Sequence, residues 1–401
     1  MKITAIETIR LPDRPNLLLA QIHTDEGLTG LGETSRGAAA VEAQLHDLVA
    51  PYLIGKDPRD IAQHSRQLMA SYLGFHSSST EVRAASVADI ALWDIFGQSL
   101  GQPIWRVLGG RSRERIRVYN TCAGYRYNTG SVARRSIRAD EAPPAAEGPY
   151  DDQVAFVYRA DELAHSLLDE GFGAMKIWPF DPFAEDNGGS FLSAQDLEMA
   201  LEPFRRIRAA VGDRIEIMAE FHSLWNLDQA KRIARALEPY RPYWSEDPIR
   251  MCDVQTLKAY GESTSIPVCG SETLGGTYPF REMLAQQAAD IVMLDVGWCG
   301  GLTEARKIAA LAEAYQRPVA PHDCNGPVVW IASIHLMAHI PNALIMEVVR
   351  AYYSTWYKDI LTELPKVEAG YVTPLDGTGL GTRLLPDLLR RPGVSVRRSP
   401  A

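Results

Sequence analysis

The chain has 401 residues, 46% of them hydrophobic, with a formal net charge of -9. That length buries a sizeable core and predicts two or three domains. An acidic balance without a long basic block excludes nucleic acid and anionic membrane as partners. The five cysteines (Cys122, Cys252, Cys269, Cys299 and Cys324) are scattered with no CxxC pair, which fits a reducing cytoplasm better than a disulfide framework. The opening MKITAIETIRLPD lacks the apolar core of a signal peptide, and no run approaches the roughly 18 apolar residues of a membrane span. The expectation is a soluble, cytoplasmic protein.

In chain order, KITAIETIRL and LLLAQIHTDEGLTGLGE alternate and turn at Asp25-Glu26-Gly27, a hairpin signal. From about Val41 to Leu108 the period is helical and closes at Gly109-Gly110. Eight short apolar runs follow, separated by helical pattern: IRVYN, GAMKIW, IEIMAEF, PYWSED, IPVCGSE, DIVMLDV, PVAPHD and ALIMEVV. That rhythm predicts a parallel βα barrel. The polar segment from Gly124 to Asp152 breaks the spacing and reads as a long loop after the first barrel strand. After Tyr352 the pattern is strand and turn again, and predicts a return to the N-terminal domain. The division expected is a capping domain over 1–113, a barrel over 114–352 and a returning segment over 353–401.

The third run, continued as EIMAEFHSLW, ends on two metal-friendly side chains, Glu220 and His222. Alternation along an extended chain places them on one side. From this run onward each run ends on a ligand-type residue: Glu220, Glu246, Glu272, Asp295, His322 and Glu347. By subtraction these lie 23 to 27 residues apart, close to one tight βα unit. A single acid at a strand end is as readily a surface residue as a ligand. Six in register are not, because strand C-termini of a barrel converge on one face.

Three successive glutamates crowd like charge that a cation must neutralise, and all-oxygen ligation suits a hard divalent ion such as Mg²⁺. Asp295 and His322 stand on neighbouring strands; an acid behind an imidazole fixes its tautomer and raises its basicity, which makes His322 a candidate general base. GWCGG, Gly297 to Gly301, lacks the Lys-Ser/Thr of a P-loop and reads as a tight βα turn. His335 and His339 have helical i, i+4 spacing without the HExxH glutamate and are left as helix residues.

These residues carry a resemblance. AASVADIALWDIFGQSLGQPIWRVLGG (Ala84 to Gly110), WSEDP, GSET, LDVGWCGGLTEARKIA, APH and GLGTRL occur in the order of the enolase superfamily, mandelate racemase subgroup, over essentially the whole chain. The resemblance implies an α+β cap, built from both chain ends, on a (β/α)7β barrel. It places Glu220, Glu246 and Glu272 on the three Mg²⁺-ligand positions, one ion per subunit, and Asp295 and His322 on the Asp–His dyad. Glu347 falls on the acid that hydrogen-bonds the substrate carboxylate. It also places a substrate-closing cap loop at SYLGFHSSS, Ser71 to Ser79.

Two departures narrow the reading. The first metal position is commonly Asp and here is Glu220. The second strand usually ends Lys-x-Lys, whereas MKIWPF supplies Lys176 and then Trp178, which takes no proton. Two-base racemisation that relies on that second lysine is therefore lost. His222 resembles the histidine with which D-galactonate dehydratase-like members expel a hydroxyl group. Lys176 stands either as an electrostatic partner of the metal site or as an alternative base. Trp178 is either packing or a wall facing substrate, and Trp298 is a second candidate substrate-binding residue.

The function expected is Mg²⁺-dependent dehydration of an acid sugar to a 2-keto-3-deoxy acid. The alternative is a cycloisomerase, lactone isomerase or epimerase acting through the same enolate. A non-catalytic sugar-acid sensor is disfavoured because the acid–base positions are filled. The expected partners are a small sugar acid and further copies of the chain in a homo-oligomer.

Overall fold

A computed structural model describes residues 1–70, 77–127, 136–145, 147–185 and 187–401. Strands β1 (Ile3–Leu11), β2 (Arg14–Thr24) and β3 (Thr29–Ser35) form an antiparallel sheet. The turn predicted at Asp25-Glu26-Gly27 joins β2 to β3. The sheet packs on the helix Thr80–Ser99, which is buried on nearly every side. Contact is close enough to dictate sequence: a Cβ on Gly30 would lie 2.0 Å from the Ala91 carbonyl oxygen, and one on Gly32 would lie 2.1 Å from that of Val87. Only glycine lets β3 lie on that helix.

The barrel follows as β4 (Ile116–Thr121), β5 (Ala174–Ile177), β6 (Glu216–Glu220), β7 (Trp244–Glu246), β8 (Val268–Gly270) and β9 (Ile291–Val292), each parallel to the next. The seventh position is a backbone bridge at Val319, paired with Val292 on one side and Ala343 on the other. The eighth, β10 (Met346–Val348), pairs in parallel with β4 and closes the ring. All eight apolar runs thus enter the barrel, although DIVMLDV and PVAPHD supply only brief pairing. Helices connect the successive strands, from Ala160–Asp169 after β4 to Pro327–His339 before β10, and β10 is followed by the one-turn α-helix Arg350–Tyr353 and short 3-10 turns at Trp356–Asp359 and Leu388–Arg390. The long connection after β4 runs from Cys122 to Asp151; its residues 128–135 and 146 lie outside those described. So do residues 71–76 of the expected cap loop.

The C-terminal segment divides its pairing. β11 (Val367–Glu368) and β12 (Tyr371–Val372) form a hairpin whose second strand joins the start of β4, on the barrel. β13 (Ser395–Pro400) pairs with β1 in the cap sheet. The expectation that the whole strand-and-turn tail rejoins the cap is corrected to this extent: edge hydrogen bonds were available at both places, and alternation does not say which edge a strand takes.

Cap and barrel are joined by buried carboxyls. Glu33 of β3 accepts from the backbone N–H groups of Val328 (3.0 Å) and Val329 (3.2 Å), at the N-terminus of the helix Pro327–His339. Asp89 accepts from Thr303 N (2.9 Å), and Asp94 accepts from Leu31 N (2.9 Å) and Leu380 N (2.8 Å). Burial pushes Glu33 up to about 8, Asp89 to about 7 and Asp94 to about 6. Each folded value lies above the ordinary carboxyl value, so the unfolded chain releases these protons first. Their contribution to stability is complete below about pH 4 and is lost as pH rises through 6 to 8. The melting temperature is therefore expected to fall between pH 5.5 and 8.5. Asp89→Asn, which keeps an acceptor for Thr303, is expected to remove roughly 2–4 °C of that fall, the effect of about 1 kcal/mol in a large domain. An unchanged slope in thermal melts of this variant would show that Asp89 ionises freely in the fold. No helix among the described residues is long and apolar enough to cross a membrane.

Candidate active site

Alternation within the barrel explains where the functional side chains point. An interior apolar layer contains Ala174, Met218, Trp244, Met293, Ala320 and Ile345, all fully or almost fully buried. Two residues further along each strand, and so on the same face, stand Lys176, Glu220, Glu246, Asp295, His322 and Glu347. The apolar layer plugs the barrel, and the polar layer lies above it at the C-terminal mouth. Glu272 follows Cys269 by three residues rather than two, so its place in this layer owes nothing to simple alternation.

Carboxylate oxygens of Glu220, Glu246 and Glu272 lie within 4.8 Å of one another. Lys176 Nζ is 2.5 Å from Glu246, 3.0 Å from Glu347 and 3.4 Å from Glu220. Glu347 accepts further hydrogen bonds from Thr121 Oγ1 and from Asp323 N (2.6 Å). Asp295 accepts from Gly297 N (2.7 Å) and Asn325 Nδ2 (2.6 Å) and lies 2.6 Å from His322 Nδ1. His322 Nε2 is 3.0 Å from Glu272. The structure brings all six periodic residues and Lys176 into one buried cluster.

The charges do not balance. Burial pushes Glu220 up to about 7, with Glu272 and Asp247 adding to the effect against the pull of Lys176. Burial and then Glu220 raise Glu246 well above the carboxylate range. Burial also opposes ionised Glu347, yet Lys176 and His322 outweigh it and bring it down to about 2. Burial lowers His322, but Glu272, Glu347 and Asp295 prevail and raise it to about 10. Lys176 is held well above its ordinary value by Glu246 and Glu347 despite burial. Five carboxyl groups thus share two cationic side chains, and the buried Glu220 Oε2 has no hydrogen-bond partner. Such a donor set of hard oxygens, short of positive charge, fits a divalent cation.

His222 does reach the same site, but not by strand alternation. β6 ends at Glu220, and His222 and Ser223 take positive φ values of 47° and 58°. The turn is held by His222 N donating to Glu220 Oε1 (2.6 Å) and Ser223 N donating to the Asp247 carbonyl (2.8 Å). Left-handed backbone at two successive non-glycine residues is costly and needs such support. The imidazole then lies with Nδ1 2.6 Å from Asp181 Oδ2 and Nε2 3.2 Å from the Tyr127 hydroxyl. Trp178 packs beside it, with ring centroids 5.7 Å apart, and also against Tyr127 and Phe156. Trp298 lies against His322, centroids 5.1 Å apart and tilted 33°.

Sequence reasoning missed Asp181, Tyr127, Asn325 and Asp247. Asp181 and Tyr127 sit in connections without periodicity, and no signal marked them. Thr121 was readable, since it follows the interior Tyr119 by two residues. Asp247 is buried beside the cluster, accepting from Ser271 Oγ (2.8 Å). His335 and His339 are structural: His335 Nε2 is 3.1 Å from the Leu380 carbonyl and His339 Nδ1 2.9 Å from that of Gly110. Gly297–Gly301 forms the predicted turn into the helix Gly301–Ala314.

Residues 4–109 match the family model of the mandelate racemase / muconate lactonizing enzyme N-terminal domain, and residues 159–388 match the enolase C-terminal domain-like model. A crystal structure of a mandelate racemase-subgroup enolase from Agrobacterium tumefaciens is 50% identical, with a TM-score of 0.88 over 100% of this chain and 99% of that one. A D-galactonate dehydratase of Ralstonia nicotianae is 32% identical over 393 residues, 95% of this chain and 91% of that protein. A D-xylonate dehydratase of Haloferax volcanii is 29% identical over 386 residues, 96% and 87% of the respective chains.

Proposed function

We propose that this chain, which belongs to the mandelate racemase / muconate lactonizing enzyme family of the enolase superfamily, is an acid-sugar dehydratase. As a carbon–oxygen lyase it removes the proton α to a carboxylate and expels the β-hydroxyl, leaving an enol that tautomerises to a 2-keto-3-deoxy acid. The observation that carries this reading is a pair of imidazole–carboxylate dyads, His322–Asp295 and His222–Asp181. Their strands are the seventh and third of a closed ring of eight, four steps apart and so on opposite walls. Elimination needs a base and an acid at different atoms of one substrate, and two facing dyads supply both. The relatives named as dehydratases support it.

In this reading Glu220, Glu246 and Glu272 would hold one Mg²⁺, which when bound would offset two of their three negative charges and supply a Lewis-acid centre for the enolate oxygen. His322, oriented by Asp295, takes the α-proton. His222, oriented by Asp181, gives a proton to the departing hydroxyl. Lys176, within 3.4 Å of three carboxylates, is assigned an electrostatic role at the substrate carboxylate, with Glu347 and Thr121 fixing its position. Trp178 and Trp298 are assigned as walls behind the two imidazoles, where they exclude water from the proton transfers. Residues 1–113 are assigned as cap and 114–352 as barrel, with 353–401 divided between them: β12 joins β4, and β13 joins β1. The cytoplasm is the assigned compartment, and the assembly a homo-oligomer.

A panel of sugar acids scored for 2-keto acid with semicarbazide tests the reaction. His222→Asn is expected to lower elimination by about 10²–10⁴-fold, the worth of a positioned acid, while α-proton exchange with deuterated solvent persists. Asp181→Asn is expected to show a smaller loss of the same kind, and a β-fluoro substrate to recover rate in both, because fluoride leaves without a proton. Unchanged elimination in His222→Asn would make His222 a bystander to the departing hydroxyl, whereas absence of 2-keto acid from every compound would transfer the case to an isomerase that uses Lys176 as its second group.

A further inference from the structure

Among the described residues two arginines of the cap, Arg36 and Arg83, have no acidic partner and lie over Trp298, which itself lies against His322. Arg36 follows β3 and lies in the left-handed region, φ 64°. Its N–H donates to the Asn16 carbonyl (2.8 Å), and its own carbonyl accepts from Arg83 Nη1 (3.0 Å). A non-glycine residue in that conformation persists only where its surroundings hold it. Arg83 lies one turn into the helix Thr80–Ser99. Both guanidinium groups lie over the Trp298 indole, Arg83 at 4.7 Å and Arg36 at 5.7 Å from the ring centre. Trp298 in turn lies against His322, at 5.1 Å.

Among the described residues neither guanidinium has a carboxylate within 4.0 Å, and the buried Arg83 Nε has no hydrogen-bond partner. The acids whose charge acts on Arg83 are Asp295 and Glu272, both already committed to His322. Burial lowers the Arg83 pKa, and among the described residues the charges of Asp295 and Glu272 oppose this without forming an ion pair with it. Two planar forks with free donors are suited to a carboxylate or phosphate. A substrate whose first carboxylate lies at the glutamate cluster and whose α-carbon lies at His322 would carry its far end toward the cap. The two contacts in series, 5.1 Å and 4.7 Å, link Arg83 to the base through a single indole.

We infer that Arg36 and Arg83 form a receptor for a second anionic group, so that the substrate is a sugar acid ionised at both ends rather than a simple monoacid. This rests on the dehydratase reading above. The second group is a terminal carboxylate or a terminal phosphate, and the test separates the two.

Wild type, Arg36→Gln, Arg83→Gln and the double variant are compared on monoacids, on the matching diacids and on the matching terminal phosphates, by 2-keto acid formation. Calorimetry with the same compounds and the His322→Asn protein measures binding without turnover. The expected result is that wild type prefers one doubly anionic series. Each substitution should lower its kcat/KM by about 10–100-fold, the worth of a hydrogen bond to a charged group, mainly through KM. Monoacid turnover should change little, and Arg83→Lys should retain part of the preference. Preference for monoacids, or an equal loss on both classes, overturns the inference and leaves the dehydratase reading intact. No 2-keto acid from any compound defeats the dehydratase reading. Calorimetry then still decides the receptor, which fails if doubly anionic compounds bind no more tightly than monoacids.

Discussion

Glu246→Gln is expected to abolish both divalent-cation binding and turnover while the metal-free protein melts at an unchanged temperature. Glu246 is completely buried, touches Lys176 at 2.5 Å and accepts from Trp244 Nε1 at 2.9 Å. Glutamine preserves the shape of the side chain but removes an anionic ligand. The metal-free fold is expected to tolerate the change, because burial opposes a charge on Glu246 and glutamine still turns an oxygen toward Lys176. Lys176 retains Glu347 and Glu220 as partners. Turnover should fall by at least the roughly 10²–10³-fold seen when one main electrostatic stabiliser is removed, and Mg²⁺ titration by calorimetry should show no heat of binding. Near wild-type turnover at limiting Mg²⁺ would mean that the three glutamates are not the ligand set.

His322→Asn should stop exchange of the substrate α-proton with deuterated solvent, with a fall in turnover of about 10²–10⁴-fold. The carboxamide can still donate to Asp295, so the lesion is confined to the missing base. Proton exchange is read directly by NMR and does not depend on the later loss of hydroxide. Lys176 is the other basic side chain placed in the cluster, but three carboxylates within 3.4 Å hold its proton in place. Persistent exchange in the variant would assign the base to Lys176 and reopen the isomerase alternative.

The barrel and most of the site were legible because both repeat. Eight apolar runs at regular spacing announce strands, and a polar residue two places beyond an interior apolar one announces the mouth. Glu272 was found by its spacing from its neighbours, although its offset from Cys269 breaks the local period. His222 was found for an incomplete reason: alternation assumed a strand that ends two residues earlier, and hydrogen bonds to Glu220 and Asp247 complete the placement. Asp181 and Tyr127 were illegible, since both lie in connections whose path depends on tertiary contacts. Glu33, Asp89 and Asp94 were illegible for a related reason. A carboxyl that accepts backbone N–H groups from a distant element leaves no mark in its own neighbourhood of the sequence. The tail's split between barrel and cap depended on which sheet edge remained open, and alternation does not encode that choice.

The pairing of β13 with β1 has a consequence for the order in which the molecule is made. β1 leaves the ribosome about 380 residues before its partner Ser395–Pro400. At translation rates of about 5–20 residues per second, tens of seconds separate them. Throughout that interval one edge of the cap sheet presents unpaired N–H and C=O groups, a template for pairing with another chain. The barrel likewise stays open until β10 emerges to meet β4. The nascent protein therefore carries two unsealed edges at once, and its yield in a crowded cell depends on how quickly the stretch from Met346 to Pro400 follows the rest.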